Sequence, residues 1–166
     1  MYFERISFKQ WKKDCKKIYP NASEEQIAEW YDNIQLPKTS TQYSAGHDFF
    51  LPFKQHWYAQ QDKFMIPTGV RWVPETEEEK HMVLLLCPRS GWGTKYGLKL
   101  TNTLGVIDSD YCLAENEGHI MAMISVDISF EVSVGDKFIQ GLIIPFFRCG
   151  ETTNTIRTGG FGSTDK

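Results

Sequence analysis

Cysteine is scarce and scattered: Cys15, Cys87, Cys112 and Cys149 form no Cys-x-x-Cys pair. Zinc spacing is therefore absent, and in a reducing compartment disulfides are not expected. The four histidines are equally dispersed, so a metal held by side chains alone is not expected either. No apolar run approaches the length of a membrane span. Met1 to Arg5 lacks the apolar stretch of a signal peptide, and the expected location is cytoplasmic, with no membrane partner. Positive charge is not in excess: 18 Lys and Arg stand against 21 Asp and Glu, a formal net charge of −3. That balance excludes broad binding to a nucleic-acid backbone, which needs a basic face. A Gly-x-x-x-x-Gly-Lys-Ser/Thr loop is missing, as are His-x-Glu and Pro-Cys-x-x-Cys. P-loop phosphate binding and zinc-dependent deamination are thereby excluded.

What is present fits one domain of 166 residues, long enough to bury a core. Residues 1–40 predict a helical N-terminal extension. Ser7-Phe8-Lys9-Gln10 and Ser23-Glu24-Glu25-Gln26 both fit the capping-box pattern. Behind them run helix-period stretches, Phe8, Trp11, Cys15 and Ile18 in one and Ile27, Trp30 and Ile34 in the other. Residues 41–149 change texture to short strands broken by glycine and proline, which predicts an all-β sandwich or jelly roll. Lys63 to Val73 reads as strand, turn, strand. Met82 to Cys87 and Gly141 to Phe147 read as buried runs, and Ile120 to Val126 and Ile128 to Val134 as neighbouring strands around Asp127. Glu75 to Lys80 reads as a solvated turn or loop. Residues 150–166 lose the apolar pattern and form a Thr-, Asn- and Gly-rich flexible tail, although Arg157 and Phe161 beside glycines are unusual for a purely disordered end.

Several polar residues have two readings. Arg89-Ser90-Gly91 supplies a forked cation, a hydroxyl and a backbone open to an oxyanion; it is equally a tight turn with Arg89 in a salt bridge. Asp108 is either a turn-capping aspartate or a carboxylate placed to activate water. Gln140 is either a solvent-facing residue on an edge strand or a donor to a ligand. Tyr111 on its own reads as core.

Taken together, Pro88-Arg89-Ser90-Gly91, Gly105 to Tyr111 and Gly159 to Thr164 resemble, in that order, the motifs of the trimeric dUTP pyrophosphatases (dUTPases). Ala45-Gly46-His47-Asp48 and Gly135 to Gln140 fall where that family expects them. The resemblance implies a jelly-roll (β-clip) fold and a homotrimer with shared active sites. It further implies hydrolysis of dUTP to dUMP and pyrophosphate, with Mg2+ on the triphosphate. Asp108 would be the base that aims water at the α-phosphorus. Arg89, Ser90, Gly91 and Gln140 would hold phosphates, and Asp48 would lie near the waters of the metal. Asn102 and Gly105 would contact uracil, and Tyr111 would underlie the deoxyribose and exclude a 2′-hydroxyl. From the tail, Phe161 would stack on the base while Arg157, Ser163 and Thr164 meet the terminal phosphate as a lid.

The chain departs from the family pattern in two places. Only Thr158 separates Arg157 from the paired glycines, where two residues are usual. After Tyr111, Cys112 to Glu117 intervene before Gly118, an insertion that bears on the choice of base more than on the triphosphate. Two rival readings stay open: a dCTP deaminase-type enzyme of the same fold, with Glu115 or Glu117 moving protons, and a nucleotide-sensing or protein-binding module on a dUTPase scaffold.

Overall fold

The structure, a computed structural model, describes residues 1–59, 63–150 and 159. Its elements run β1 (Tyr2–Arg5), α1 (Phe8–Ile18), α2 (Glu24–Asp32), β2 (Lys38–Thr39), β3 (Gly46–Phe50), β4 (Gln55–Trp57), β5 (Phe64–Pro67) and β6 (Val70–Val73). There follow β7 (Met82–Pro88), α3 (Ser90–Tyr96), β8 (Lys99–Leu100), β9 (Gly105–Ile107), β10 (Met121–Ser125), β11 (Phe130–Val132) and β12 (Lys137–Pro145). The largest sheet has the order β2-β3-β12-β7-β9; β5-β10-β8, β1-β6 and β11-β4 complete the architecture. Every pairing among the described residues is antiparallel. This is the expected all-β jelly roll carrying short helices at its N-terminus.

Both N-terminal helices form where the caps predict, but the caps differ. At α2 the box is complete: Gln26 N–H donates to Ser23 Oγ and Ser23 N–H to Gln26 Oε1. At α1 only half exists. Ser7 Oγ accepts from Gln10 N–H, yet the Gln10 amide turns inward to Asp14. Ser7 N–H donates instead to the Glu117 carboxylate at 2.7 Å, across 110 residues of chain. The helices join the β core rather than sitting apart from it. Trp11, Cys15, Ile27 and Ile34 are buried in the same cluster as Phe49, Ile66 and Trp72, and Trp11 Nε1–H donates to Ile27 O. Burying Ile27 and Ile34 each contributes on the order of 1.5–3 kcal/mol.

The strands differ from expectation in their partners. β5 and β6 flank a turn but do not pair; β5 binds β10, and β6 binds β1. β1 was not foreseen, because the first five residues are too few to show a period. Likewise β10 and β11 lie in different sheets. The run Gly141 to Phe147 is not wholly buried: Ile144 is 39% and Phe147 96% exposed. In β7 the residues alternate, with Leu84 and Leu86 in the core and Leu85 half-buried on the opposite face. The Glu75 to Lys80 loop also gains a role, since Glu75 and Glu79 receive the Met1 amine and Lys80 O accepts from Ser109 Oγ.

Gly69 closes the β5–β6 turn with φ +71°, and a Cβ there would collide with Ile34, just past the end of α2. Both the left-handed backbone and the missing space oppose a side chain. Gly69→Ala is expected to lower stability by about 2–4 kcal/mol, read as a lower urea midpoint; an unchanged midpoint would contradict this packing.

Candidate active site

The register of the large sheet assembles the phosphate-side candidates. Asp48 on β3 faces Gln140 on β12, which faces Cys87 on β7. Three residues from three strands thus share one row and one face. The Gln140 side chain lies over Gly46, where a Cβ would strike its Oε1. Glycine at that position is therefore a condition for the glutamine to lie flat along the strands.

Asp48 is 4% exposed. Its Oδ2 accepts from Ser40 Oγ at 2.6 Å and Lys137 Nζ at 2.9 Å, with Arg89 Nη1 at 3.4 Å. Burial alone would raise the Asp48 pKa; the bonds from Ser40 and Lys137 and the charge of Arg89 outweigh it and hold the group below its ordinary value. All three contacts fall on Oδ2. Lys137 and Ser40 were missed as site residues in the sequence. Lys137 could have been found, since it lies three positions before Gln140 in the same motif.

Arg89-Ser90-Gly91 is not an isolated turn. Arg89 is the extended N-cap of α3, Ser90 opens the helix, and Gly93 N–H donates to Arg89 O at 2.9 Å. The first N–H groups of a helix have no partner within it. A Cβ at Gly91 would meet nothing within 4 Å, so the chain's own packing does not demand glycine there. Beside it opens a cavity of about 390 Å³ lined by Arg89, Gly91, Trp92, Gly135, Asp136 and Lys137. A helix of seven residues is too short to persist alone. It is held by aromatic contacts: Trp92 packs edge-on against Trp57 and Phe130, and Tyr96 stacks on Phe130 with centroids 3.6 Å apart.

The second group of candidates surrounds β9. Gly105 pairs with Leu86, whose Cβ lies 2.9 Å from where a Gly105 Cβ would stand. Before it, Leu104 N–H donates to Asn102 O at 2.7 Å around Thr103, whose φ is +65°. This three-residue γ-turn is strained for a β-branched side chain, and it sets Asn102 on the surface next to Gly105. Asp108 is exposed just past the end of β9, and its carbonyl accepts from Tyr111 N–H at 3.0 Å. Tyr111 is only 4% exposed. Its hydroxyl donates to His119 O and accepts from Asn116 Nδ2. The insertion after it turns toward α1, and Gly118, at φ +71°, lets the loop close on the Cys112 backbone. Glu117 is committed to Ser7, through both its N–H and its hydroxyl.

Within one chain the two groups do not meet. Asp108 follows Ile107, whose partner on β7 is Leu84. Arg89 lies five residues further along β7, about 16 Å at the rise of a strand. Arg157, Phe161, Ser163 and Thr164 lie outside the described residues. Among the described residues no cluster of His, Cys, Asp and Glu could hold a metal ion, and no helix is long and apolar enough to cross a membrane.

A family model described as dUTPase matches residues 32–164. The chain belongs to the dUTPase family. It is 36% identical over 137 residues to a deoxyuridine 5′-triphosphate nucleotidohydrolase of Lactococcus lactis, covering 79% of this chain and 88% of that protein. A nucleotidohydrolase of the same description from Gamma-proteobacterium EBAC31A08 is 33% identical over 138 residues, covering 79% and 95%. Among solved structures, the dUTPase of Streptococcus mutans superposes with a TM-score of 0.64 at 29% identity, covering 91% of this chain and all of that one. The dUTPase of Staphylococcus aureus phage phi11, in a mutant form, shares the fold with a TM-score of 0.58 at 21% identity, covering 74% and 90%.

The lowered Asp48 pKa carries a sign. A carboxylate stabilised in the fold contributes stability above its unfolded pKa, about 3.9, and loses it as pH falls through the lower folded value. The stability difference between the wild type and Asp48→Asn at pH 7 should therefore shrink below about pH 4. Acid denaturation of the two proteins checks this; a constant difference would mean that Asp48 is not held ionised by Ser40, Lys137 and Arg89.

Proposed function

We propose that this chain hydrolyses dUTP to dUMP and pyrophosphate in active sites shared between the copies of a homotrimer. One observation carries the reading: β7 holds the Asp48–Arg89–Gln140 group and Asp108 at its opposite ends. A single chain leaves the base remote from the phosphate grip. A neighbouring copy would bring its Asp108 to this chain's Arg89. The sheet face that carries Gln140 and Cys87 continues into Leu142, Leu85 and Val106, paired side by side across β12, β7 and β9. Val106 is 56% and Ile144 39% exposed. An apolar row of that kind is what a second copy covers.

In such a site, Arg89, Gln140 and the Ser90 and Gly91 N–H groups of one chain bind the triphosphate, and the neighbour's Asp108 orients water in line with the α-phosphorus. Asn102 and Gly105 meet the base. Tyr111, rigidly seated, floors the sugar and leaves no room for a 2′-hydroxyl. From the third chain, Phe161 covers the base while Arg157, Ser163 and Thr164 reach the terminal phosphate. Mg2+ would enter on the triphosphate, as the family resemblance implies; the structure of the phi11 relative concerns a structural Mg(II) ion. The donor set fits an ion held mainly by phosphate and water. Asp48 has its contacts on Oδ2, so Oδ1 can take a water of that ion. When bound, the ion neutralises the charge that develops on the phosphates.

With Mg2+, the wild type is expected to release dUMP and pyrophosphate from dUTP, and neither product from UTP nor ammonia from dCTP; ammonia from dCTP would favour the deaminase reading instead. Asp108→Asn should keep nucleotide affinity and lose about 10²–10⁴ in turnover, whereas an unimpaired rate would remove Asp108 as the base. The shared site has its own test. Chains carrying Arg89→Ala and chains carrying Asp108→Asn, each inactive alone, should recover about a quarter of wild-type activity when co-refolded in equal amounts. A mixture that stays inactive would place both groups in one chain and sink the proposal.

A further inference from the structure

We propose that the N-terminal helix α1 is a working part of the sugar subsite: Asp14, acting through His119, is a positioning residue for Tyr111. This rests on the reading of Tyr111 as the floor beneath the deoxyribose. The link begins in the core. His119 is 0% exposed, and its Nδ1 lies 2.6 Å from Asp14 Oδ2. Its Nε2 accepts the Gly69 N–H at 2.9 Å. An accepting Nε2 leaves the ring proton on Nδ1, where it is donated to Asp14, so the imidazole has one tautomer and one orientation. Asp14 is fixed in turn by the Gln10 amide at 2.9 Å.

A ring pinned at both nitrogens also pins its own backbone. The His119 carbonyl accepts from the Tyr111 hydroxyl at 3.1 Å, and Asn116 Nδ2 donates to the same hydroxyl at 2.9 Å. Each bond fixes the polarity of the next: Asn116 fills the acceptor side of the phenol and directs its proton to His119 O. A second tie runs in parallel. Glu117 holds the left-handed φ of +59° and Gly118 follows at +71°. In that conformation, unfavourable for a residue with a side chain, the Glu117 carboxylate takes both the Ser7 N–H and the Ser7 hydroxyl. The loop between Tyr111 and His119 is thus tied to α1 at the helix start and again about two turns on. The insertion Cys112 to Glu117 makes the tie to Ser7, and His119, two residues beyond it, makes the tie to Asp14.

Asp14→Ala and Glu117→Ala are expected to fold and to leave kcat for dUTP within about twofold, while KM rises and the preference for dUTP over UTP falls about tenfold. Asp14→Asn, whose amide oxygen still accepts the His119 proton, should restore most of both. Wild-type KM and sugar preference in folded Asp14→Ala, even with a lower melting temperature, would overturn the inference and leave α1 a structural element alone. If Asp14→Ala does not fold, Glu117→Ala, at the accessible end of the same link, decides by the same two readouts. A wild type that does not turn over dUTP would instead defeat the functional reading. The coupling is then measured by amide hydrogen exchange: faster exchange over Tyr111 to His119 in Glu117→Ala supports it, and unchanged exchange refutes it.

Discussion

The register of β7 between β12 and β9 is the constraint on which the rest depends. Because facing residues in an antiparallel sheet share a side, one alignment sets Cys87 against Gln140 and, through β12, against Asp48. The same alignment puts Gly105 on Leu86, whose side chain occupies the space a Cβ would need. A slip of one residue would exchange the inner and outer faces together. It would drive Leu84 and Leu86 out of the core and turn Cys87 away from Gln140. The core face and the alignment of Cys87 with Gln140 are therefore specified by the same hydrogen bonds.

Much of this was legible in the sequence, for reasons that can be traced. The Ser23–Gln26 box and the period of Ile27 and Trp30 are local signals, and a local element obeys them, although Ile34 lies past its end. Alternation and turn residues located most strands. Partner choice was not legible: β5 and β6 are adjacent in sequence, yet their hydrogen bonds go to β10 and β1, and nothing in a short window encodes that. The α1 cap shows the same limit. Ser7 and Gln10 have the right spacing, but the buried Asp14 competes for the glutamine and Glu117 takes its place at Ser7.

The site residues divide along the same line. Their identities and order were readable as motifs, whereas their distribution over the fold was not. Arg89 was read with a turn and is a helix cap; Tyr111 was read on its own as core, and its ring is buried. Ser40, which hydrogen-bonds Asp48, carries no motif signature of its own, whereas Lys137, which neutralises it, lies within the motif of Gln140. Burying a carboxylate that has two cations and a hydroxyl around it is tolerable; burying it without them is not. Its companions are thus a physical necessity once Asp48 lies beneath the surface.

The aromatic contacts behind α3 have an effect at a distance. Trp57, Tyr96 and Phe130 do not line the cavity, and Trp92 joins its wall to them. Yet a seven-residue helix takes its direction from whatever it leans on. The hydrophobic interior under Trp92 acts as a buttress for the guanidinium at the helix start, and indole emission from this cluster would register any tilt of the end that carries Arg89.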